Sequence, residues 1–535
     1  MAGSQVVARG KRSLPTPIRV APLAARLVGY KDKDFIINGL TEGFSLNYIG
    51  VQASQSCNNS VTVNNNKSIA MTKVMSEVSK GRIAGPFTSP PLDNFKCSPL
   101  SLREKSTPGK YRLLHDYSYP YDETSVNANI PEAATKVKYA TLEDALKVLV
   151  KYEAPYLAKS DIAEAYRLLP LTPKDYNLTG FKLDGGWFVD LALPMGSSSS
   201  CLTFERFSSG LEYALKNTYE VRHVVKVLDD FLFLGETYEE CKHGLDSFRR
   251  LCEATNIPIA EDKTEGPSRS LVFLGILIDT VSWSISIPVE KINKYAFSIR
   301  KILKEGKCSL RELKSIIGKL TFVNKIVPAG RCFQRRLHDA TIGHSKPAAI
   351  ITVGQSVRAD LEVWLTFLEG YNGREFLRES IEWTSNDLQF YSDASLKGYG
   401  STFQKFYLQG IFPPAWREFD IMVLEMYPIF VMLIMFADYL YGKKIIFHTD
   451  NEPLVHVLNK QTSKNRRVMK LLRPLVLVLL QKKIILKVEH VPGVENTTCD
   501  DLSRFQGTRE VRGLRADAVA LQVPHHLRPH NLRLG

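Results

Sequence analysis

Residues 224–235, VVKVLDDFLFLG, set two adjacent aspartates, Asp229 and Asp230, between two apolar runs of strand-forming residues. Period and composition predict a β-hairpin with the acids at its tip. Carboxylates about 4 Å apart repel by roughly 4 kcal/mol at an effective dielectric near 20, so a cation belongs there. An Asp-Asp pair can also be a polar turn. Yet no Gly, Asn or Pro separates the two runs. The alternative is a magnesium site for phosphoryl transfer, which needs hard oxygen ligands from separate strands.

The remaining chain is long enough for that machinery. It has 535 residues, 44% of them apolar and 24% charged, so several globular units with sizeable cores are expected. A net charge of +14 favours a polyanionic partner. The eight cysteines include no C-x-x-C pair, which argues against zinc modules and a disulfide framework and fits an intracellular, reducing setting in cytoplasm or nucleus. No secretory signal is apparent. Arg9, Lys11, Arg12, Arg19 and Arg26, with no acid in the first thirty residues, predict a flexible basic arm over 1–45. Residues 421–440 are nearly long enough to cross a bilayer, but Glu425, Pro428 and Asp438 make a helix buried against a sheet the better assignment.

In chain order, 40–49 and 58–67 read as surface structure, 68–80 as a helix and GPFTSPPLDNFKCSPL as extended chain. Lys105, Lys110 and Arg112 alternate with apolar residues on a strand, either as a solvated face or as cations that grip phosphate oxygens. Asp161 ends a short strand in LAKSDIAEAYRLLPL, as a helix N-cap or as a third carboxylate beside the hairpin. Tyr166 follows, either as core or against a nucleotide sugar. LPMG at 193–196, with Met195 and Gly196, opens a serine run before a helix starting near Cys201. Residues 289–326 turn helical and carry a capping-box match, Ser309 with Glu312.

KYR at 110–112, Asp161 with Tyr166, LPMG, VLDD at 227–230, Lys263 and VFLG at 272–275 together resemble the fingers and palm of a reverse transcriptase. The resemblance implies that Asp161, Asp229 and Asp230 hold two Mg2+ ions, Mn2+ being an alternative. It also implies that Lys105, Lys110 and Arg112 contact a triphosphate, that Tyr166 excludes a ribose 2′-hydroxyl, and that Lys263 lies near the leaving pyrophosphate. Met195 stands where retroviral enzymes often have Gln, and Val227 where many have an aromatic.

A second set of acids follows. Asp393 ends an apolar strand in LQFYSDASLKGYGSTF, where Gly398 and Gly400 are read as a hairpin turn. Glu425 enters the buried helix, Asp450 lies just past a strand, and Asp500 and Asp501 open a last helix. Each could be a cap. Together, on a β-β-β-α-β-α-β-α order, they resemble RNase H, which implies that Asp393, Glu425, Asp450 and Asp500 hold two further Mg2+ ions. NTTCDDLSR resembles the end of retroelement RNase H domains and favours Asp500 over Asp501. His490 matches a histidine that aids product release in some relatives, or is a plain strand-end residue.

GPFTSPPLDNF, KYRLLHDYSYP and the following SVN resemble DIRS-like, tyrosine-recombinase retrotransposons, and no D-T-G or D-S-G protease motif is found. The expected architecture is α/β and α+β multidomain: fingers and palm over 46–288, helical thumb over 289–345, connection over 346–385, RNase H-like mixed sheet over 386–506, and an Arg-rich tail over 507–535 that is truncated or unrelated. The implied activity is RNA-directed DNA synthesis with linked ribonuclease H. Its partners would be RNA template, DNA primer, RNA-DNA hybrid and dNTPs, with an element-encoded recombinase and Gag-like protein beyond them and no membrane. The rival is a decayed or host-adopted nucleic-acid-binding protein without chemistry.

Overall fold

The computed structural model describes residues 14–104, 109–370, 374–375, 388–505, 510–532 and 534. They divide into two compact units, 1–274 with 278–282, and 275–277 with 283–535.

The first unit begins differently from expectation. Residues 20–42 are not a flexible arm but two helices, α1 (Val20–Arg26) and α2 (Lys33–Glu42). The pairs Leu23/Leu27 and Ile36/Leu40, each four residues apart, form apolar stripes that sink into the main core. Phe44 and Leu46 join them; 40–49 is surface chain, with Thr41, Glu42, Ser45, Asn47 and Ile49 exposed, pinned by single residues that reach the core. Helix α3 (Lys67–Ser79) and strands β1 (Ile83–Phe87), β2 (Leu100–Glu104) and β3 (Tyr111–His115) follow. Helix α4 (Leu142–Leu149) is started by a Thr141–Asp144 capping box. Strand β4 (Tyr156–Asp161) is central to a four-stranded sheet of order β7-β8-β4-β9, made with β7 (Val224–Val227), β8 (Asp230–Gly235) and β9 (Glu265–Ser268). Strands β5 (Gly180–Leu183) and β6 (Gly186–Asp190) form a separate sheet with β1. Helices α5 (Ser200–Thr218) and α6 (Tyr238–Thr255) present Phe204, Phe207, Leu211, Phe248 and Leu251 to the shared core.

The second unit opens with α7 (Val289–Glu305) and α8 (Leu310–Val323). Ser309 Oγ accepts the Glu312 N–H while Glu312 accepts the Ser309 N–H, the capping box read from sequence. Helix α9 (Gln355–Gly370) buries Trp364; Trp383 lies outside the described residues. A mixed sheet then forms from antiparallel β10 (Gln389–Ala394), β11 (Gly398–Phe403) and β12 (Phe406–Ile411), with parallel β13 (Lys444–Thr449) and β14 (Ile485–His490) on the far side of β10. The helices are α10 (Ile421–Met435), α11 (Glu452–Lys460), α12 (Arg466–Gln481) and α13 (Thr497–Phe505). Helix α12 is one more than the expected order contains.

Helix α10 is buried at eleven successive positions from Val423 to Leu433, as an all-round apolar helix must be. Its 15 residues span about 22 Å, short of a bilayer core. Among the described residues no helix is long and apolar enough to cross a membrane.

A buried carboxylate joins α7–α9 to the sheet domain. Asp360 on α9, with a side chain 2% exposed, lies 3.0 Å from Arg336 and 3.8 Å from Arg473 on α12. Cys332 Sγ also donates to the Gln461 carbonyl at 2.9 Å. The tail over 510–532 is not an unrelated extension: strand β15 (Val519–Ala520) pairs parallel to β12 and completes the order β14-β13-β10-β11-β12-β15.

Candidate active sites

The first acid cluster comes from the β4–β8 ladder. Antiparallel register puts Asp161 opposite Asp230, and Val227 opposite Asp230 leaves Leu228 and Asp229 as a two-residue turn. Such turns need positive φ, here supplied by Leu228 at +55°, which costs a non-glycine residue about 1–2 kcal/mol. Two residues outside the sequence reading hold it. Lys226, 3% exposed, reaches Glu205 at 2.5 Å and Ser208 Oγ at 3.0 Å, and Glu205 also accepts the Leu228 N–H at 3.1 Å. A lysine inside an otherwise apolar strand was the available signal.

Asp161 is buried and caps no helix. Its Oδ2 accepts from Lys263, while Oδ1 is buried without a donor. Burial, then hydrogen bonding to Asp161 and its charge, push Asp230 up to about 8. Burial first and Asp161 second also raise Asp229, against the pull of Lys263 and Arg112. Carboxyls raised above their ordinary range, beside a buried carboxylate oxygen without a donor, make a donor set that fits a divalent cation.

Asp229, Arg112, Met195 and Lys263 line one cavity of about 720 Å³. Lys110 is exposed just before β3, and Lys105 lies outside the described residues. Gly196 is required by close approach: a Cβ there would sit 1.9 Å from the His115 carbonyl. The serine run after it is pinned rather than flexible, with Ser197, Ser199 and Ser200 buried and Asn127 accepting the Ser198 N–H. Tyr166 sits on a 3-10 turn, packs on Phe204 and shares a 3.4 Å contact with Cys201 Sγ.

The second cluster gathers at the ends of β10, α10 and β13. Ligand oxygens of Asp393, Glu425 and Asp450 all lie within 4.8 Å of one another. Asp450 Oδ1 is buried without a donor, and the cap of α11 is Asn451, so Asp450 is no cap. Burial and the charge of Asp450 raise Glu425 to about 8; burial, opposed by the Ser503 hydroxyl, raises Asp393 to about 6. This donor set also fits a divalent cation.

Asp500 stands beside that trio rather than within it: its charge raises Asp393 and Asp450, while its own carboxylate pairs with Arg504. Asp501 faces away, paired with Arg512 and 1% exposed. His490 is exposed at the end of β14, close enough for its charge to lower Asp450. Gly398 and Gly400 are strand residues, not a turn. At Gly400 a Cβ would meet Leu502 Cβ at 2.4 Å, so the glycine lets α13 lie on the sheet. Sequence reasoning also missed Ser503, whose hydroxyl donates to Asp393 at 2.5 Å.

Residues 104–278 match the family described as reverse transcriptase (RNA-dependent DNA polymerase), and 385–476 match the RNase H-like domain found in reverse transcriptase. The Gag-Pro-Pol polyprotein of Human T-cell leukemia virus 2 is 24% identical over 37% of this chain and 13% of its own length. That of Human T-cell leukemia virus 3 (strain Pyl43) is 23% identical over 52% of this chain and 18% of its own. The Transposon Tf2-3 polyprotein of Schizosaccharomyces pombe is 27% identical over 32% and 12%. The chain thus spans less than a fifth of these relatives. A foamy viral protease-reverse transcriptase solved with RNA/DNA hybrid aligns at TM-score 0.49 and 15% identity, covering 83% of this chain and 56% of that one. The chain carries a reverse transcriptase domain followed by an RNase H-like domain, of the kind found in retroviral and retrotransposon polyproteins.

Proposed function

We propose that this chain is an RNA-directed DNA polymerase with linked ribonuclease H activity, acting on RNA template, DNA primer, dNTPs and RNA-DNA hybrid. The observation that carries the reading is the Asp161–Asp230 pairing across β4–β8 with Asp229 at the adjoining turn. Asp161, Asp229 and Asp230 would hold Mg2+ at the first site, and Asp393, Glu425, Asp450 and Asp500 at the second. Bound there, two such ions per site would neutralise phosphate oxygens and acidify the attacking hydroxyl or water. Arg112 and Lys110 present cations to a triphosphate at the cavity that Asp229 lines, with Lys105 on the same segment. Lys263, already paired with Asp161, brings positive charge to the leaving pyrophosphate. Tyr166, held by Phe204 and Cys201, is the sugar gate; Met195 and Gly196 let template approach the loop. His490 would speed product release.

The chain divides functionally into fingers and palm to residue 288, thumb over 289–345, connection over 346–385 and ribonuclease over 386–506. Its lineage is DIRS-like, which a tyrosine-recombinase gene beside its own would support. The deciding experiment is primer extension on poly(rA) with oligo(dT) and Mg2+, beside cleavage of the RNA strand of a hybrid. Wild type should do both, Asp229→Asn should lose only synthesis, and Asp393→Asn only cleavage. Equal incorporation by wild type and Asp229→Asn overturns the polymerase assignment. Protection of the hybrid by wild type overturns the ribonuclease.

A further inference from the structure

The C-terminal segment grips two helices, α10, which carries Glu425 of the second cluster, and α13, which carries Asp500 beside it. Arg512 donates to Asp501 three times, from its backbone N–H and Nε to Oδ2 at 2.9 Å each and from Nη2 to Oδ1 at 2.7 Å. Asp501 is 1% exposed, so this bidentate grip brings an opposite charge to a carboxylate in the protein interior. Farther along, the Val519 N–H bonds the Lys405 carbonyl and the Leu521 N–H bonds that of Tyr407, which seats β15 on β12. At 527 the chain reaches a second helix: the Tyr427 hydroxyl donates to the Leu527 carbonyl at 3.1 Å, with Leu527 buried.

Asp501 directly follows Asp500 on α13, and Tyr427 is two residues from Glu425 on α10. Helix α13 already rests on the sheet through buried Cys499 and Leu502, the Ser503 hydroxyl on Asp393 and the Gln409 amide on the Leu502 carbonyl, and Arg512 adds a further hold at Asp501 from outside the helix. Turning it by about 20° would carry a carboxylate ~6 Å from the axis by roughly 2 Å. Metal ligation tolerates a few tenths of an ångström.

We infer that residues 510–532 are a strap that positions the second acid cluster, with Arg512 as a positioning residue acting through Asp501 on the rotation of α13. The inference rests on the ribonuclease reading only for what the cluster does, not for the strap itself.

The test uses the full chain with Asp229→Asn added, so that Mn2+ binding reports the second cluster. Arg512→Ala and Arg512→Lys are compared by amide hydrogen exchange in EDTA and by Mn2+ titration followed by electron paramagnetic resonance. Arg512→Ala should exchange at least tenfold faster across 497–505, with 142–149 unchanged, and bind Mn2+ at least fivefold more weakly; Arg512→Lys should recover part of both. Unchanged exchange overturns the strap, and faster exchange with unchanged Mn2+ affinity overturns the positioning role. If both effects appear but chains retaining Asp229 leave the hybrid intact, the ribonuclease assignment fails and the strap stands.

Discussion

Replacing Glu425 with glutamine should stabilise the metal-free protein and destabilise it relative to wild type once Mg2+ is present. Burial and Asp450 hold the Glu425 carboxyl near 8 against an ordinary 4.5. A group whose folded pKa is raised contributes stability that is complete below its unfolded value and fades as pH climbs through the folded one. The gap between wild type and Glu425→Gln therefore opens between pH 4.5 and about 8 and is flat above. At about 1.4 kcal/mol per unit the full rise corresponds to 4–5 kcal/mol, of which screening by water at the cluster leaves about 2. For a domain of this size that is about 4–8 °C in Tm at pH 8 in EDTA. Mg2+ at a hundred times its Kd adds about 2.7 kcal/mol to wild type, and the glutamine variant, short of one ligand, forgoes most of it. Thermal unfolding of both proteins with EDTA and with Mg2+ reads the reversal. If wild type is the more stable in EDTA at pH 8, the carboxylates are not held together against their repulsion.

Gly400→Ala should push α13 off the sheet, costing about 2–3 kcal/mol and hybrid cleavage while primer extension persists; urea unfolding and the two assays separate these effects. Lys226→Met should cost about 2–3 kcal/mol by leaving the partly buried Glu205 without its cation, and adding Glu205→Gln should return part of that in a double-mutant cycle by denaturant unfolding. His115 is buried beside the cavity, hydrogen-bonded to Tyr117 and to the Gly180 carbonyl, and burial lowers it to about 4. Its folded pKa is depressed, so the stability it contributes is present above pH 6.5 and lost as pH falls towards 4, by about 3 kcal/mol; His115→Gln should flatten that slope in acid titrations.

What the sequence made legible was local. The VLDD hairpin, the Ser309 capping box and the buried helix around Glu425 each follow from periodicity and caps within a dozen residues. What escaped depends on contacts between distant segments. Counting arginines in the first thirty residues hid the i,i+4 leucine pair that docks α1. Gly400 reads as a turn from sequence because glycine usually marks one; here its missing Cβ admits Leu502, which no neighbouring residue announces. Asp500 and Asp501 are adjacent, and what separates their surroundings is Arg512, beyond the motif itself. Lys226 and Glu205 read as an odd strand lysine and a helix glutamate until the fold brings them together.

Asp360 has a consequence for dissecting the chain. Its carboxylate answers to Arg336 on one side and Arg473 on the other, and Cys332 bonds Gln461 across the same seam. Cutting near residue 386 would strand the partly buried Arg473 guanidinium and bare the apolar flank of α12. A C-terminal fragment made that way would begin life sticky and short of a counter-ion. The helices before it are better regarded as its chaperoning half, to be expressed with it.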